Sequence, residues 1–365
     1  MKKRILVLNY EFPPLGGGAS PISYEITKAY VERGYEVDVV TMGFQDLPKY
    51  EVKDGISIYR VPCLRFKKEI CYPWEQLTFI ISAIRFFRIH MKTNSYYFNH
   101  THFLIPTGVI SLWLKKKYNL SYIVTSHGSD IPGYNPDRFK TLHKFTRPLL
   151  RIIIKNAKGI FAGSNYLANL GNSIGANIKY EVIREGFDPT KFMPQKKKRI
   201  ILSTGRLLER KGFQYLIKAV SEEDIGYEVH IAGDGPMMDK LVALSRQSKT
   251  PIIFHGWLNN SSSAYKDLLE SASIYVLASE IENASVSLLE AMSAGCAVIT
   301  TNVSGCAETV GTAGITVKPR DSEQIKDALQ IIIEKEKLYG KKARERVINE
   351  YNWNKTVNKY LESFG

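Results

Sequence analysis

Short apolar runs alternate with helical stretches along this chain, and the first such pairing constrains the fold most. RILVLN leads into PPLGGGAS, Pro13 to Ser20, and then into SPISYEITKAYVERGYEVDVVTM, a helical pattern closed by Gly34 and followed by a second apolar run. A strand, a glycine-rich turn, a helix and another strand make the opening of a Rossmann-like unit. The glycines then sit at the carboxyl end of the first strand, where open parallel sheets bind ligands. Bare backbone at Gly17 and Gly18 can approach a bound group closely there. The dinucleotide fingerprint GxGxxG is absent, because Ala19, Ser20 and Pro21 follow the glycines, so a nicotinamide oxidoreductase is disfavoured.

Further strands are readable at YYFNHTH, SYIVTSHG, GIFAGS and YEVIREG, completing one α/β domain over 1–185. The proline-containing, strongly basic stretch FDPTKFMPQKKKR then breaks the pattern, which places a linker at 186–199. A second alternation follows at IILSTGR, YEVHIAGDG, IIFHGWL, IYVLASE, CAVITTN and GITVK, giving a second domain over 200–345. The last helical stretch, 346–365, is expected to cross back to the first domain. At 365 residues the chain exceeds one comfortable core, and two Rossmann-like parallel-sheet halves imply a ligand cleft between them.

Fifty Lys and Arg against 36 Asp and Glu leave a formal charge of +14, which favours anionic partners. Nucleic acid ranks last among these, since the basic residues lack both the aromatic interleaving of a single-strand groove and a helix-turn-helix signature. Phosphorylated small molecules and an anionic membrane surface remain. The four cysteines, Cys63, Cys71, Cys296 and Cys306, show no CxxC spacing. Neither a metal site nor a disulfide framework is expected, and a reducing cytoplasm fits. MKKRILVLNYE imitates a signal peptide, but its apolar run ends at Asn9, and it reads as a buried strand.

The stretch richest in chemistry is VLASEIENASVSLLEAMSAGCAVITT. Glu282 lies in the loop after a strand, and Glu290 falls in the first turns of the next helix. The N–H groups around Val286, Ser287 and Leu288 open that helix and offer a seat for phosphate. A phosphate seat flanked by carboxylates suits a phosphorylated polyol, whose hydroxyls would donate charge-assisted bonds of roughly 1.5–3 kcal/mol each.

E-x7-E in ENASVSLLEAMSAG, together with GRLLERKGFQYLIKA, IAGDGP, HGSD and the early glycine loop, resembles the retaining glycosyltransferases of family four, which have the GT-B architecture. The likeness runs in the family's order from the first strand to YNW near the end. It implies a hexosyltransferase-type enzyme that moves a sugar from a nucleotide-diphosphate donor, UDP- or GDP-linked, to a saccharide or lipid-linked saccharide, as in polysaccharide or glycoconjugate biosynthesis. Arg206 and Lys211 would hold the donor diphosphate without a metal or cofactor, a role their charges suit. Gly17 and Gly18 would meet the diphosphate and sugar when the domains close. Glu290 would bond the ribose, Glu282 the donor sugar at the reaction centre, and Trp257 with Leu258 the nucleobase. His127 would lie beside the donor sugar while Asp130 shapes the site. The family's aromatic and glycine after the first Glu are replaced here by Asn283 to Ser285, so contacts to the sugar are expected to differ.

Other readings stay open on the residues alone. Trp257 reads equally as a core aromatic. The chain also reads as a catalytically silent nucleotide-sugar or glycan binding protein, against which both glutamates speak. A helix bearing Trp74, Leu77, Phe79, Ile80, Ile81, Ile84, Phe86 and Phe87, and a stripe of Lys140, Lys144, Arg147, Arg151 and Lys155, suit either an anionic bilayer surface or ordinary core and solvated faces. Arg85 and Arg88 make the first a poor membrane span.

Overall fold

The computed structural model describes residues 3–134, 136–176 and 178–364, with the backbone alone for 136–143. The chain divides into two units, Met1–Glu185 with Trp353–Gly365, and Gly186–Asn352.

In the first unit the strands are β1 (Arg4–Leu8), β2 (Glu36–Met42), β3 (Tyr50–Lys53), β4 (Ile56–Val61), β5 (Phe98–His102), β6 (Tyr122–Ser126), β7 (Gly159–Ala162) and β8 (Glu181–Val182). Its helices are α1 (Ala19–Glu32), α2 (Pro73–His90), α3 (Thr107–Tyr118), α4 (Pro136–Asn156) and α5 (Asn165–Asn172). The sheet runs β3-β4-β2-β1-β5-β6-β7-β8 and is parallel except for β3. The order reverses at β1, so the loops after β1 and β5 open the crevice where such sheets bind ligands.

Alternate residues of β1 explain why its apolar run is unbroken. Ile5 and Val7 pack on one face with Ile26 and Tyr30 of α1, while Leu6 and Leu8 pack on the other with Phe79 and Phe87 of α2. A strand covered on both sides needs apolar residues at every position. The β3–β4 hairpin, which the sequence reading left unassigned, turns at Asp54 and Gly55, both with positive φ (51° and 77°). That is the dipeptide which a two-residue hairpin turn prefers.

The second unit contains β9 (Lys198–Thr204), β10 (Glu228–Ala232), β11 (Ile252–Gly256), β12 (Ala272–Leu277), β13 (Ala297–Thr301) and β14 (Ile315–Val317). Around them lie α6 (Phe213–Ser221), α7 (Met238–Ser245), α8 (Ser263–Ser271), α9 (Val286–Ser293), α10 (Ser304–Val310), α11 (Ser322–Glu334) and α12 (Glu336–Glu350). The parallel order β11-β10-β9-β12-β13-β14 reverses at β9 and β12. Leu202 and Tyr275 pack with α9 and α12, and Ile201 and Val276 with α6 and α11.

Two boundaries depart from the sequence reading. The stretch 186–199 is built into the second unit: Met193 N–H donates to Glu270 at 2.6 Å, and the Lys197 ammonium to the Glu270 and Ala294 carbonyls at 3.0 and 2.6 Å. The return to the first unit comes at Trp353, not at residue 346, because α12 packs on α9 and β13. Only α13 (Trp353–Glu362) goes back, where Val357, Tyr360 and Phe364 join the core beside α1 and Phe364 stacks on Phe98 at 4.0 Å.

Candidate active site

In the second unit the reactive groups come from the loops after β9 and β12, neighbours at the reversal of strand order. After β9 the chain passes Arg206, makes a single helical turn at Glu209–Lys211 and reaches Gly212 at φ +76°. A side chain at Gly212 would lie 2.2 Å from the Ala278 carbonyl, so glycine alone lets this loop press against the end of β12. Glu280 N–H then donates to the Arg210 carbonyl at 2.9 Å, which ties the two loops together. That approach delivers the Lys211 ammonium onto Glu282 Oε1, a part-buried ion pair.

Glu282 is fixed from behind by α10: its N–H donates to the hydroxyl oxygen of Ser304, the first residue of that helix, at 3.0 Å, while Gly305 N–H donates to the Glu282 carbonyl at 2.9 Å. These supports went unnoticed in the sequence, although NVSG directly follows β13. Arg206 stands exposed and pairs with no carboxylate among the described residues. Its guanidinium is therefore available to an incoming anion.

Glu290 lies buried on α9, where Tyr265 of α8 donates to its Oε2 at 2.6 Å. Burial pushes this carboxyl up to about 7, against the pull of the Tyr265 hydrogen bond and of Lys191. The tyrosine is a partner that sequence spacing gave no means of finding, 25 residues away and on another helix. At the start of α9 the expected phosphate seat is smaller than Val286, Ser287 and Leu288 together. Leu288 N–H donates back to the Ser285 carbonyl at 3.1 Å, tightening the first turn, so the donors outside the helix ladder there are those of Val286 and Ser287. Trp257, after β11, is 69% exposed and so is no core aromatic; Leu258 is half-buried against the core.

In the first unit, the loop after β1 is anchored by Gly16, whose N–H donates to the Lys68 carbonyl at 2.9 Å and whose φ is +92°. A methyl group at Gly17 or Gly18 would meet no atom of the chain within 4 Å. Internal packing thus requires glycine at position 16 and leaves room for a side chain at Gly17 and Gly18, while Gly17 N–H donates to Glu11 Oε2 at 3.4 Å. Gly18 leads directly into α1.

After β6, Asp130 accepts N–H bonds from Leu104 at 2.9 Å and from His127 and Gly128 at 3.1 Å each. It welds the loop after β5 to the loop after β6 and is a positioning residue. His127 is bonded ring to ring with His102, 2.9 Å between Nε2 and Nδ1, and His102 stacks on His100 with centroids 4.5 Å apart. His100 in turn bonds Tyr30 at 2.9 Å and Thr125 at 2.8 Å. Burial holds His100 and His127 down to about 3 and His102 well below the ordinary histidine range, so all three are neutral at pH 7. His100 and His102 were not singled out in the sequence, although NHTH places both on one face of β5.

The stripe on α4 is mostly otherwise engaged. Arg147 and Arg151 bond the Ser173 and Ile174 carbonyls, the latter at 2.8 Å from Arg151, and so complete the C-terminal end of α5, where cations are favourable. Lys144 and Lys155 are exposed, and the Lys140 side chain lies outside the described residues. On α2, Phe79, Ala83 and Phe87 are core, whereas Trp74, Leu77 and Ile81 face water. No helix among the described residues is long and apolar enough to cross a membrane.

A family model described as glycosyl transferases group 1 matches residues 186–352, and one described as Glycosyltransferase Family 4 matches residues 16–191. Uncharacterized glycosyltransferase MJ1607 of Methanocaldococcus jannaschii is 26% identical over 98% of this chain and 97% of its own. Among solved structures, sucrose-phosphate synthase of Thermosynechococcus elongatus superposes with a TM-score of 0.81 at 20% identity, covering 99% of this chain and 98% of that one. Anabaena HepE, in complex with UDP-glucose, superposes with a TM-score of 0.72 at 17% identity over 99% and 98%.

Proposed function

The chain belongs to the group 1, family 4 glycosyltransferases, enzymes with the GT-B fold, and on that premise we propose that it moves a hexose from a nucleotide-diphosphate sugar to a saccharide acceptor with retention of configuration. The observation that carries this reading is the ion pair of Lys211 with Glu282 beside an unpaired Arg206, at the point where strand order reverses.

Arg206, Lys211 and the N–H groups of Val286 and Ser287 take the diphosphate. An ammonium has three donors, so Lys211 can keep Glu282 and still bond phosphate. Glu282 Oε2 accepts a hydroxyl of the donor sugar, and Glu290 Oε1 accepts from the ribose while Tyr265 holds Oε2. Trp257 and Leu258 lie against the base. In the transfer, the bond from the anomeric carbon to the β-phosphate oxygen breaks as the bond to the acceptor oxygen forms on the same face. The acceptor's proton goes to that phosphate oxygen, so the chain needs no nucleophile of its own. Its work is to stabilise the departing phosphate and a partly cationic sugar, by groups already aimed where charge develops.

HepE's bound UDP-glucose supports trying uridine donors first, then GDP-linked ones. Release of nucleoside diphosphate from UDP- and GDP-hexoses, with mixed saccharide acceptors, tests the reading. Turnover by the wild type and its loss in Glu282→Gln is the outcome expected; undiminished turnover in Glu282→Gln overturns it.

A further inference from the structure

A pair of histidines in the second unit takes no part in the site described above. His230 lies on β10 and His255 on β11, the edge strand of that sheet. Val229 and Ile231 pack with α6 and α7, so Glu228 and His230 share the opposite face of β10. The register then slips: Ile231 pairs with Phe254 but Ala232 with Gly256, which leaves His255 as the extra residue of a β-bulge. Gly256 takes a φ of +66°, and Gly233 N–H donates to its carbonyl at 2.7 Å, closing the ladder beyond the bulge. Bulges re-aim side chains. Here the His255 ring is brought to His230, with Nε2 and Nδ1 3.0 Å apart and the ring planes tilted by 36°.

The far side of His230 decides its tautomer. Its Nε2 lies 3.1 Å from Glu228 Oε2, which can only accept, so the proton sits on Nε2 and the Nδ1 lone pair faces His255. In the chain alone, His255 Nε2–H donates to that lone pair. Moving this one proton to His255 Nδ1 turns both facing nitrogens into ligands. Two nitrogens 3.0 Å apart, each at the ~2.0–2.1 Å of a metal–imidazole bond, subtend about 90–97° at an ion between them. That is the angle between neighbouring ligands in square or octahedral coordination, the geometry of nickel and copper, and is narrower than a tetrahedron requires. Glu228 already stands where a carboxylate behind a ligating histidine belongs, fixing its ring and raising its basicity.

We propose that His230 Nδ1 and His255 Nε2 form a two-histidine site for a divalent transition metal of the nickel and copper class, with Glu228 supporting His230 and water in the remaining positions. Among the described residues no group of three or more His, Cys, Asp or Glu side chains could hold an ion, so water must supply the other ligands. His255 is exposed and gives the ion its entry path. Once bound, the ion ties the edge strand to β10 through side chains as well as backbone. Cysteine spacing gave no sign of this site, and it does not rest on the transferase reading.

Nickel chloride titrated calorimetrically into the full, tag-free chain at pH 7.5 tests the proposal, with histidine ring signals followed by NMR. Paramagnetic broadening is expected first at the His230 and His255 rings, and the second unit's thermal transition should rise with nickel. His255→Ala, a change at an exposed position, should abolish both effects while the metal-free transition stays in place. Glu228→Gln should weaken nickel binding by roughly 10- to 100-fold. Binding should also weaken at pH 5.5, where protons compete for the two nitrogens. Nickel affinity unchanged in His255→Ala, broadening that begins at His100, His102 or His127 instead, or no binding at pH 7.5 overturns the proposal, and each leaves the transferase reading untouched.

Discussion

The loops after β5 and β6 in the first unit are finished with groups that are neutral or fully bonded, whereas the loops after β9 and β12 in the second keep charge on offer. In the first unit, Asp130 spends its oxygens on three backbone N–H groups, and three stacked histidines stay uncharged. In the second, Lys211 and Glu282 form a part-buried ion pair, and Arg206 has no carboxylate partner among the described residues. One pair of loops offers no free charge and the other keeps charge on offer, although both belong to the same Rossmann-like plan and both follow central strands.

That contrast can be broken most forcefully at the ion pair. Glu282→Gln and Lys211→Met are each expected to lower kcat/KM for sugar transfer by ~10²–10³, the cost of losing one preorganised electrostatic group. Steady-state kinetics checks this, and near-normal values in both would remove the second unit from the chemistry. Next in size, Arg206→Ala should weaken nucleoside diphosphate binding by roughly 10- to 100-fold, the loss of a charge-assisted bond. Calorimetric titration measures it.

Acid should then separate the two units. Below about pH 6.5, the ordinary histidine value, the unfolded chain takes up protons that His100, His102 and His127 refuse in the folded state. Their contribution to stability is whole above that pH and is lost as pH falls towards about 3. Glu290 works the other way: its folded carboxyl, up to about 7, binds a proton before the unfolded one does, so the second unit gains stability as pH falls from about 7 towards 4.5. Glu185, pushed up to about 8 by burial, and Asp130, also raised by burial, oppose the three histidines in the first unit, and the more exposed His255 gives the second a weak loss. Scanning calorimetry between pH 7.5 and 5 should show the first unit's transition falling relative to the second's. Fluorescence of Trp257 identifies the second, since Trp74, Trp113 and Trp353 all lie in the first. Equal shifts in both would erase the distinction.

The smallest effect expected is on stability in the glycine loop. Gly17→Ala should change it by no more than about 0.5 kcal/mol while reducing transfer, because the added methyl group meets only open space in the chain. Gly16→Ala should cost roughly 1–3 kcal/mol, since its φ of +92° and its contact with Glu11 both resist a side chain. Full activity in Gly17→Ala would mean that bare backbone there serves no ligand.

Much of this was legible in the chain because periodicity and punctuation agree. RILVLN and IYVLASE each read as buried strands because both faces of a central parallel strand are covered. The resemblance singled out Lys211 in RKG, while the turn at Gly212 that brings it to Glu282 went unread. What escaped depends on partners distant in sequence. Nothing local joins Tyr265 to Glu290, or Arg147 and Arg151 to the end of α5, since tertiary packing alone selects those contacts. The boundary at Trp353 was missed because α12 and α13 are both helical and polar outside, and only their buried faces show which core each serves. The hairpin at Asp54 and Gly55 carried a local signal that went unread.

The most direct measurement is thermal stabilisation of the second unit's transition by UDP, GDP, ADP and CMP at equal millimolar concentration. A ligand at about 100 times its dissociation constant adds ~2.7 kcal/mol. The result expected is stabilisation by one nucleoside diphosphate, greatly reduced in Arg206→Ala and Lys211→Met. Stabilisation unchanged in both variants, or absent with every nucleotide, would contradict the assignment of the donor diphosphate to this end of the second sheet.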